Sequence, residues 1–456
     1  MTNYWLATSA DDLTPRAPLE GDRRADVAVV GGGYTGLWTA WYLRERDPAL
    51  DVVVIEAETV GFGASGRNGA WLSPGVGVTP GELARRASPG IAAATVRAVR
   101  DSIDEIAAVC DRAGIDAQLR RGGILRIARG RAEVPALHAG LDELVRLGLG
   151  DGVTLLDADA LAARVRVADA LGALHDPYGA VHHPGRLVRG LARRLEDAGV
   201  RIVEGTRVTD LRPGPPAVQV VTDHGVVTAD TAVLATEAWL PQLPGRARDV
   251  LPIYSLVVLT EPVDDATWAR IGWQGHEALS SHRYTVDYLS RTVDGRILFG
   301  GRGAPYHFGS AVAPAFDRHD RTHDELARQL TSWFPDLAGV RVEHRWGGPL
   351  AMPRDWLPAF RHDPRTGIAT ANGYTGQGVA ATNLAGRVLA DLIVTGTTEY
   401  AELPMVGHRP RRWEPEPLRW LAARYLQHSL ARLDAKAART GRPPTGRTLA
   451  ERLVRH

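Results

Sequence analysis

The segment Asp26-Val-Ala-Val-Val-Gly31-Gly32-Gly33-Tyr34-Thr35-Gly36 constrains this chain more than any other. An apolar run flanked by Asp26 and glycines predicts a buried parallel strand over 27–30, a tight turn, and a helix over 35–44, with the next strand at 52–55. Strand, turn, helix and strand make a βαβ unit with a right-handed crossover. In such a unit Gly31 permits the turn, Gly33 lets a pyrophosphate approach the backbone at the helix N-terminus, and Gly36 lets helix and strand pack closely. Glu56 stands twenty residues after Gly36, at the end of the second strand, where a carboxylate accepts hydrogen bonds from an adenosine ribose. The spacing predicts a dinucleotide site.

The uncharged run over 27–43 approaches membrane-spanning length, and Arg23-Arg24 before it has the form of a twin-arginine signal. The glycine cluster argues against both, since it would interrupt a membrane helix but serves a strand-turn-helix well. Residues 1–25 carry Asp11, Asp12, Glu20 and Asp22 and no apolar core, so the expected location is cytoplasmic, with no membrane partner. A formal charge of +1, with Lys436 the only lysine, gives no sign of nucleic-acid binding. Cys110 is the only cysteine, which excludes an intramolecular disulfide, a thiolate metal cluster and a dithiol centre. Redox chemistry must come from a bound cofactor.

Apolar residues at Val96, Val99, Ile103, Ile106 and Cys110 predict a packing helix over 91–110. A helix over 187–198 precedes strands at 200–203, 208–211, 218–221 and 231–234. Further strands at 255–260, 284–289 and 296–299, with little helix between them, suit a mainly antiparallel sheet. A strand at 367–371 and a helix over 380–394 follow. The chain is expected to leave its cofactor domain and return to it. The Arg- and Pro-rich tail over 401–456, with Trp413, Trp420 and Tyr425, reads as a basic helical extension packed on the body.

Two more glycine segments carry chemistry. Residues 61–69 (GFGASGRNG) can lay backbone amides against an anion, with Ser65, Arg67 and Asn68 as side-chain donors. Residues 373–379 (GYTGQGV) open the last helix, whose N-terminus would stabilise negative charge. His282, Tyr284 and Tyr288, beside Arg283, fall on a predicted strand of the antiparallel sheet, where a Tyr or His could hold or deprotonate an ammonium, as could Tyr374. His175, His182 and His183 lack a carboxylate or thiol at ligand spacing, so no metal site is expected.

Taken together and in this order, the three glycine segments resemble the D-amino-acid oxidase superfamily of FAD-dependent oxidoreductases, and within it the branch of γ-glutamylputrescine oxidase-like amine oxidases. The likeness runs over 25–395 and includes HHPGRL at 182–187, AVLATEAW at 232–239 and GRILFGGR at 295–302. It implies an α/β fold in which a Rossmann-like FAD-binding domain (26–85, 185–250 and 345–395) is interleaved with a mainly antiparallel α+β substrate domain (86–184 and 251–344). FAD would lie along Gly31, Gly33, Tyr34, Thr35, Gly36 and Glu56, with Val208 near the adenine. Ser65, Arg67 and Asn68 would lie near the pyrophosphate and flavin, and Gly376, Gln377 and Gly378 near the ring's pyrimidine end.

Relatives with covalent flavin use a Cys or His, but 61–72 has neither, so noncovalent FAD is expected. Amino-acid branches place an Arg-Pro pair after the Trp corresponding to Trp346, and here Leu350-Ala351 stand instead. Some oxidases use a lysine to assist oxygen, and none precedes Lys436. The expected reaction is oxidation of an amine's C–N bond to an imine, with oxygen as acceptor and Arg67, a protonated His282 or the product iminium supplying the positive charge. The rivals are oxidation of a hydroxy acid or polyol, and a noncatalytic dinucleotide-binding protein.

Overall fold

The computed structural model describes residues 3–301 and 306–454. Arg302 of the 295–302 motif lies outside them. The first βαβ unit consists of β1 (Arg23–Val30), α1 (Tyr34–Arg46) and β2 (Val52–Ile55). β1 begins before the apolar run because Arg23 and Arg24 extend it while pairing with Asp51 and Asp230. α2 (Pro89–Ala113) starts where the Ser88 hydroxyl accepts the Ile91 N–H and stops at Gly114. It leads to β3 (Ile124–Ala128), β4 (Thr154–Leu156) and β5 (Gly172–Asp176). α3 (Pro184–Asp197) then carries the chain back to β6 (Arg201–Val203), β7 (Val208–Arg212), β8 (Val218–Thr222) and β9 (Val226–Leu234).

The second excursion holds β10 (Leu251–Thr260), α4 (Asp265–Ile271), β11 (Ala278–Ser281), β12 (Asp287–Arg291), β13 (Ile297–Gly301) and α5 (Asp320–Trp333). α4, seven residues long, is the one helix among these strands up to Gly301, in keeping with the expectation of little helix; the Asp264 side chain caps it, accepting the Thr267 N–H. β14 (Val342–Met352) returns to β15 (Ala359–Asp363), β16 (Ile368–Asn372) and α6 (Gly378–Val394), and the tail forms α7 (Leu418–Thr440).

One 8-stranded sheet runs β15-β16-β9-β1-β2-β6, with β8 and β7 continuing from β9. β1 is parallel to both β9 and β2, pairing Val29 with Val233 and Val54. The other, also 8-stranded, runs β14-β10-β13-β12-β11-β3-β5-β4 and is antiparallel except between β11 and β3. Leu37, Trp38, Leu384 and Val388 of α1 and α6 are buried on one face of the first sheet, and Tyr254, Leu256 and Phe299 of the second sheet share a core with Trp333 of α5. Cys110 is buried in α2, and burial pushes its thiol up to about 12, leaving it un-ionised.

The strand expected over 284–289 is displaced to Asp287–Arg291. Asp287 accepts the Ser281 N–H and hydroxyl, and Asp434 of α7 takes the amides of Tyr284 and Thr285, so 282–286 form a turn. Trp413 and Trp420 pack beside Ile253, Met352 and Trp356, so the tail lies on the body. Among the described residues no helix is long and apolar enough to cross a membrane.

Candidate cofactor and active site

β1 delivers its C-terminal end, and α1 its N-terminus, to one point. Gly31 adopts φ +111°, and a Cβ there would lie 2.7 Å from the Ala235 carbonyl oxygen. At Gly36 a Cβ would stand 2.0 Å from the Gly31 oxygen, which is backbone and has no room to yield. Ser65 Oγ accepts the Tyr34 N–H at 2.8 Å, so the second glycine loop caps the first helix. Glu56 Oε2 accepts the Gly32 N–H at 2.7 Å and Oε1 the Glu58 N–H at 3.0 Å. Loss of solvent around this carboxyl raises its pKa, and the two amides pull it back.

These residues line one side of a cavity of about 440 Å³. Of the cofactor positions expected from sequence, Gly31, Gly33, Tyr34, Thr35 and Glu56 line it, as do Ser65, Asn68, Val208, Gly376 and Gly378. Gly36, Arg67 and Gln377 are not in its wall, each for a visible reason. Gly36 is sealed beneath the turn. Arg67 is held away, donating to the Phe62 and Gly347 oxygens and pairing with Asp317. Gln377 turns its amide to the 75–77 loop, accepting the Gly77 N–H at 3.3 Å. Asn68, though in the wall, spends its side chain on Ala64, Ser65 and Ala70 of its own loop.

The four side chains expected to do proton chemistry do not converge. Tyr374 lines the cavity, but its phenol bonds Thr35 Oγ1 at 3.0 Å, and burial raises its pKa far above the usual range. Tyr288 shares a 2.9 Å hydrogen bond with Ser255 Oγ and sits behind the second glycine loop, its ring where a Cβ of Gly69 would be. Tyr284 faces α7 and the segment beyond, its hydroxyl donating to Glu451 at 3.4 Å. Burial lowers His282 to about 4, so it is neutral at pH 7 and supplies no positive charge to oxygen. His182 and His183 are structural: the first bonds the Tyr34 hydroxyl and the Ala70 oxygen, and the second caps α3 through the Arg186 N–H.

The cavity also has a wall that residue chemistry alone passes over: Phe62, Trp239, Leu243, Leu350 and Glu237. Glu237 follows β9, the neighbour of β1, where its carboxylate accepts the Gly373 N–H at 2.8 Å and the Tyr374 N–H at 3.3 Å. Loss of solvent pushes it up to about 7, against backbone bonds from Gly373, Tyr374 and Ala351. The available signal was positional, because ligands in open α/β sheets bind beyond the carboxyl ends of the strands. A carboxylate three residues after Leu234 on such a strand meets that condition.

A carboxylate at the end of the second strand, a glycine turn at the first helix N-terminus and a cavity running on past them form the arrangement that suits a dinucleotide cofactor. FAD fits these residues: Thr236 Oγ1 is buried without a partner among the described residues, in the wall between the pyrophosphate turn and Glu237. The chain belongs to the FAD-dependent oxidoreductase family, whose model matches residues 26–392. It is 32% identical to γ-glutamylputrescine oxidoreductase of Escherichia coli K12 over 90% of this chain and 93% of the relative. It is 26% identical to glycine oxidase of Geobacillus kaustophilus over 84% of this chain and 96% of the relative. The crystal structure of that glycine oxidase superposes with a TM-score of 0.72 at 23% identity, covering 85% of this chain and all of the other. L-proline dehydrogenase from P. horikoshii superposes with a TM-score of 0.68 at 21% identity, over 84% and 98% of the two chains. The cofactor is FAD, and the protein is an FAD-dependent oxidoreductase.

Proposed function

We propose that the protein oxidises the C–N bond of a small amine whose reacting carbon bears no carboxylate, using noncovalent FAD and passing the electrons to oxygen in the cytoplasm. The observation that carries this is the wall around Leu350. Among the described residues that line the cavity, the only cation is Arg207, beside Val208 at the adenosine end. A substrate carboxylate would find no second guanidinium among the described residues of the wall, which also carries Phe62, Trp239, Leu243 and Leu350. Removal of water by such a wall favours the neutral amine, whose nitrogen lone pair the reaction requires. The names of the relatives above, γ-glutamylputrescine oxidoreductase and glycine oxidase, both denote enzymes of amine-bearing compounds.

In this reading 26–85, 185–250 and 345–395 bind FAD, 86–184 and 251–344 hold the substrate, and 401–456 is an added brace. Bound FAD supplies the acceptor for a hydride leaving the carbon beside the amine. The amine loses that hydride and a nitrogen proton to become an imine, which water hydrolyses to a carbonyl compound and free amine or ammonia. Gly378, Val379 and Thr382 place the positive end of the α6 dipole at the cavity, where it favours negative charge on the bound cofactor. Phe62, Trp239 and Leu350 exclude water from the reacting carbon. Incubation with primary and secondary amines should yield aldehyde and released amine in equal amounts. Turnover of hydroxy acids or polyols with no turnover of amines would overturn the reading.

A further inference from the structure

The Rossmann geometry puts the adenosine at Glu56 and the pyrophosphate at Gly31–Gly33, so the redox half of the dinucleotide extends toward Glu237, Tyr374 and Leu350. Glu237 is unusual there in two respects. It is a non-glycine residue with φ +45°, a left-handed backbone that an L-residue adopts only when its surroundings enforce it. Its carboxylate also accepts the amides of Gly373 and Tyr374, which ties the end of β9 to the loop that opens α6. It lines the cavity itself.

We propose that Glu237 is a positioning residue that also couples a proton to flavin reduction: it holds the α6 loop in place and takes up one solvent proton when the cofactor gains negative charge. The inference rests on FAD lying in this cavity. Reduction by hydride transfer brings two electrons and one proton, leaving the ring one unit more negative. A carboxylate across a water-poor cavity from that charge is repelled by it and binds a proton more tightly. Little else nearby could compensate. The neighbouring stretches 251–253 of β10, 350–352 of β14 and 368–372 of β16 carry no titratable side chain. Tyr374 is held un-ionised, and the charged groups lining the cavity, Glu56, Glu58 and Arg207, belong to the adenosine end. Burial already raises this carboxyl to about 7, so a further rise on reduction makes the extra proton bind between about that pH and the higher value that the reduced cofactor imposes.

The test is the midpoint potential of the FAD-bound protein as a function of pH, for the wild type and Glu237→Gln, a variant that keeps the side chain's shape and removes its charge. From about pH 7 up to that higher value the wild type should show an additional change of up to tenfold in the reduction equilibrium constant per pH unit, about 30 mV for a two-electron couple. Glu237→Gln should lack that increment and be the more easily reduced of the two at pH 8. Wild-type infrared difference spectra on reduction should gain a protonated-carboxyl band. A wild type with neither the increment nor the band overturns the proposal, whether or not the variant folds, and so does an increment that persists in Glu237→Gln. A purified protein devoid of FAD would instead defeat the functional reading on which this one rests.

Discussion

At the Glu56 end of the cavity the protein presents backbone amides, glycines and one carboxylate fixed by main-chain bonds. At the other end it presents side chains brought together from distant segments, as when Glu237 accepts the amides of Gly373 and Tyr374, 136 and 137 residues away. The first construction is local in sequence, because one βαβ unit supplies the turn, the helix N-terminus and Glu56. The second is assembled only when both sheets have formed. The difference implies that substitutions in the cradle act on cofactor affinity, whereas those in the far wall act on chemistry and on the joint between the sheets.

The largest effect should come from Gly36→Ala. Its Cβ would meet the Gly31 oxygen at 2.0 Å, and the turn must deform to admit it, at a cost of about 3 kcal/mol or more. FAD affinity should fall by a hundredfold or the protein should fail to fold, as titration of apoprotein and thermal melts will read.

Asp317→Asn comes next. It leaves Arg67 enclosed with an uncompensated charge, the side chains being 12% and 17% exposed, and should cost on the order of 3 kcal/mol of stability. If oxygen feels that charge, stopped-flow reoxidation should become faster in the variant, since no lysine precedes Lys436 and His282 is neutral. An unchanged melting temperature would show that the pair does not hold the second glycine loop to the 314–317 segment.

Glu56→Ala should lose roughly 1–3 kcal/mol of FAD affinity through its charged hydrogen bonds, measured by the same apoprotein titration. An unchanged affinity would remove Glu56 from the site.

A fourth effect is on pH dependence. Burial lowers His182 to about 3 and His183 to about 4 from an ordinary 6.5, so the unfolded chain takes up these protons first. The stability they contribute is complete above pH 6.5 and is lost as pH falls toward 4. Glu237 has the opposite sign: raised from 4.5 to about 7, its contribution is complete below 4.5 and lost as pH rises through 7. Apoprotein melting temperatures should therefore drop by several degrees on acidification from 6.5 to 4, less steeply in Glu237-intact protein than in Glu237→Gln.

The smallest effect is expected for Tyr284→Phe, which removes the long contact from its hydroxyl to Glu451 and should stay within about 0.5 kcal/mol with turnover intact. A large loss of turnover would restore Tyr284 to the site and blur the contrast between the two ends.

That contrast also decides what could be read before the structure. The strand, helix and strand from β1 to β2 were legible because burial leaves an apolar record within a few residues, although the paired Arg23 and Arg24 hid the start of β1. The strand expected at 284–289 was misplaced because the residue that fixes the turn, Asp434, lies 149 residues from Thr285. Arg67 and Gln377 looked like cofactor donors since their types and loops allow it, and only tertiary partners turn them aside. Glu237 carried no composition signal: a single acidic residue after a strand has the look of a solvated loop until Gly373 and Tyr374 are placed against it.

The most direct test of the account is anaerobic mixing of the yellow protein with simple amines, glycine, D-alanine and hydroxy acids while the flavin absorbance is followed. A wall whose only guanidinium among the described residues is Arg207, with Leu350 in it, predicts fast bleaching by an amine whose reacting carbon carries no carboxylate, and slow or no bleaching by the others. Bleaching by glycine or D-alanine at least as fast as by the best amine would contradict it.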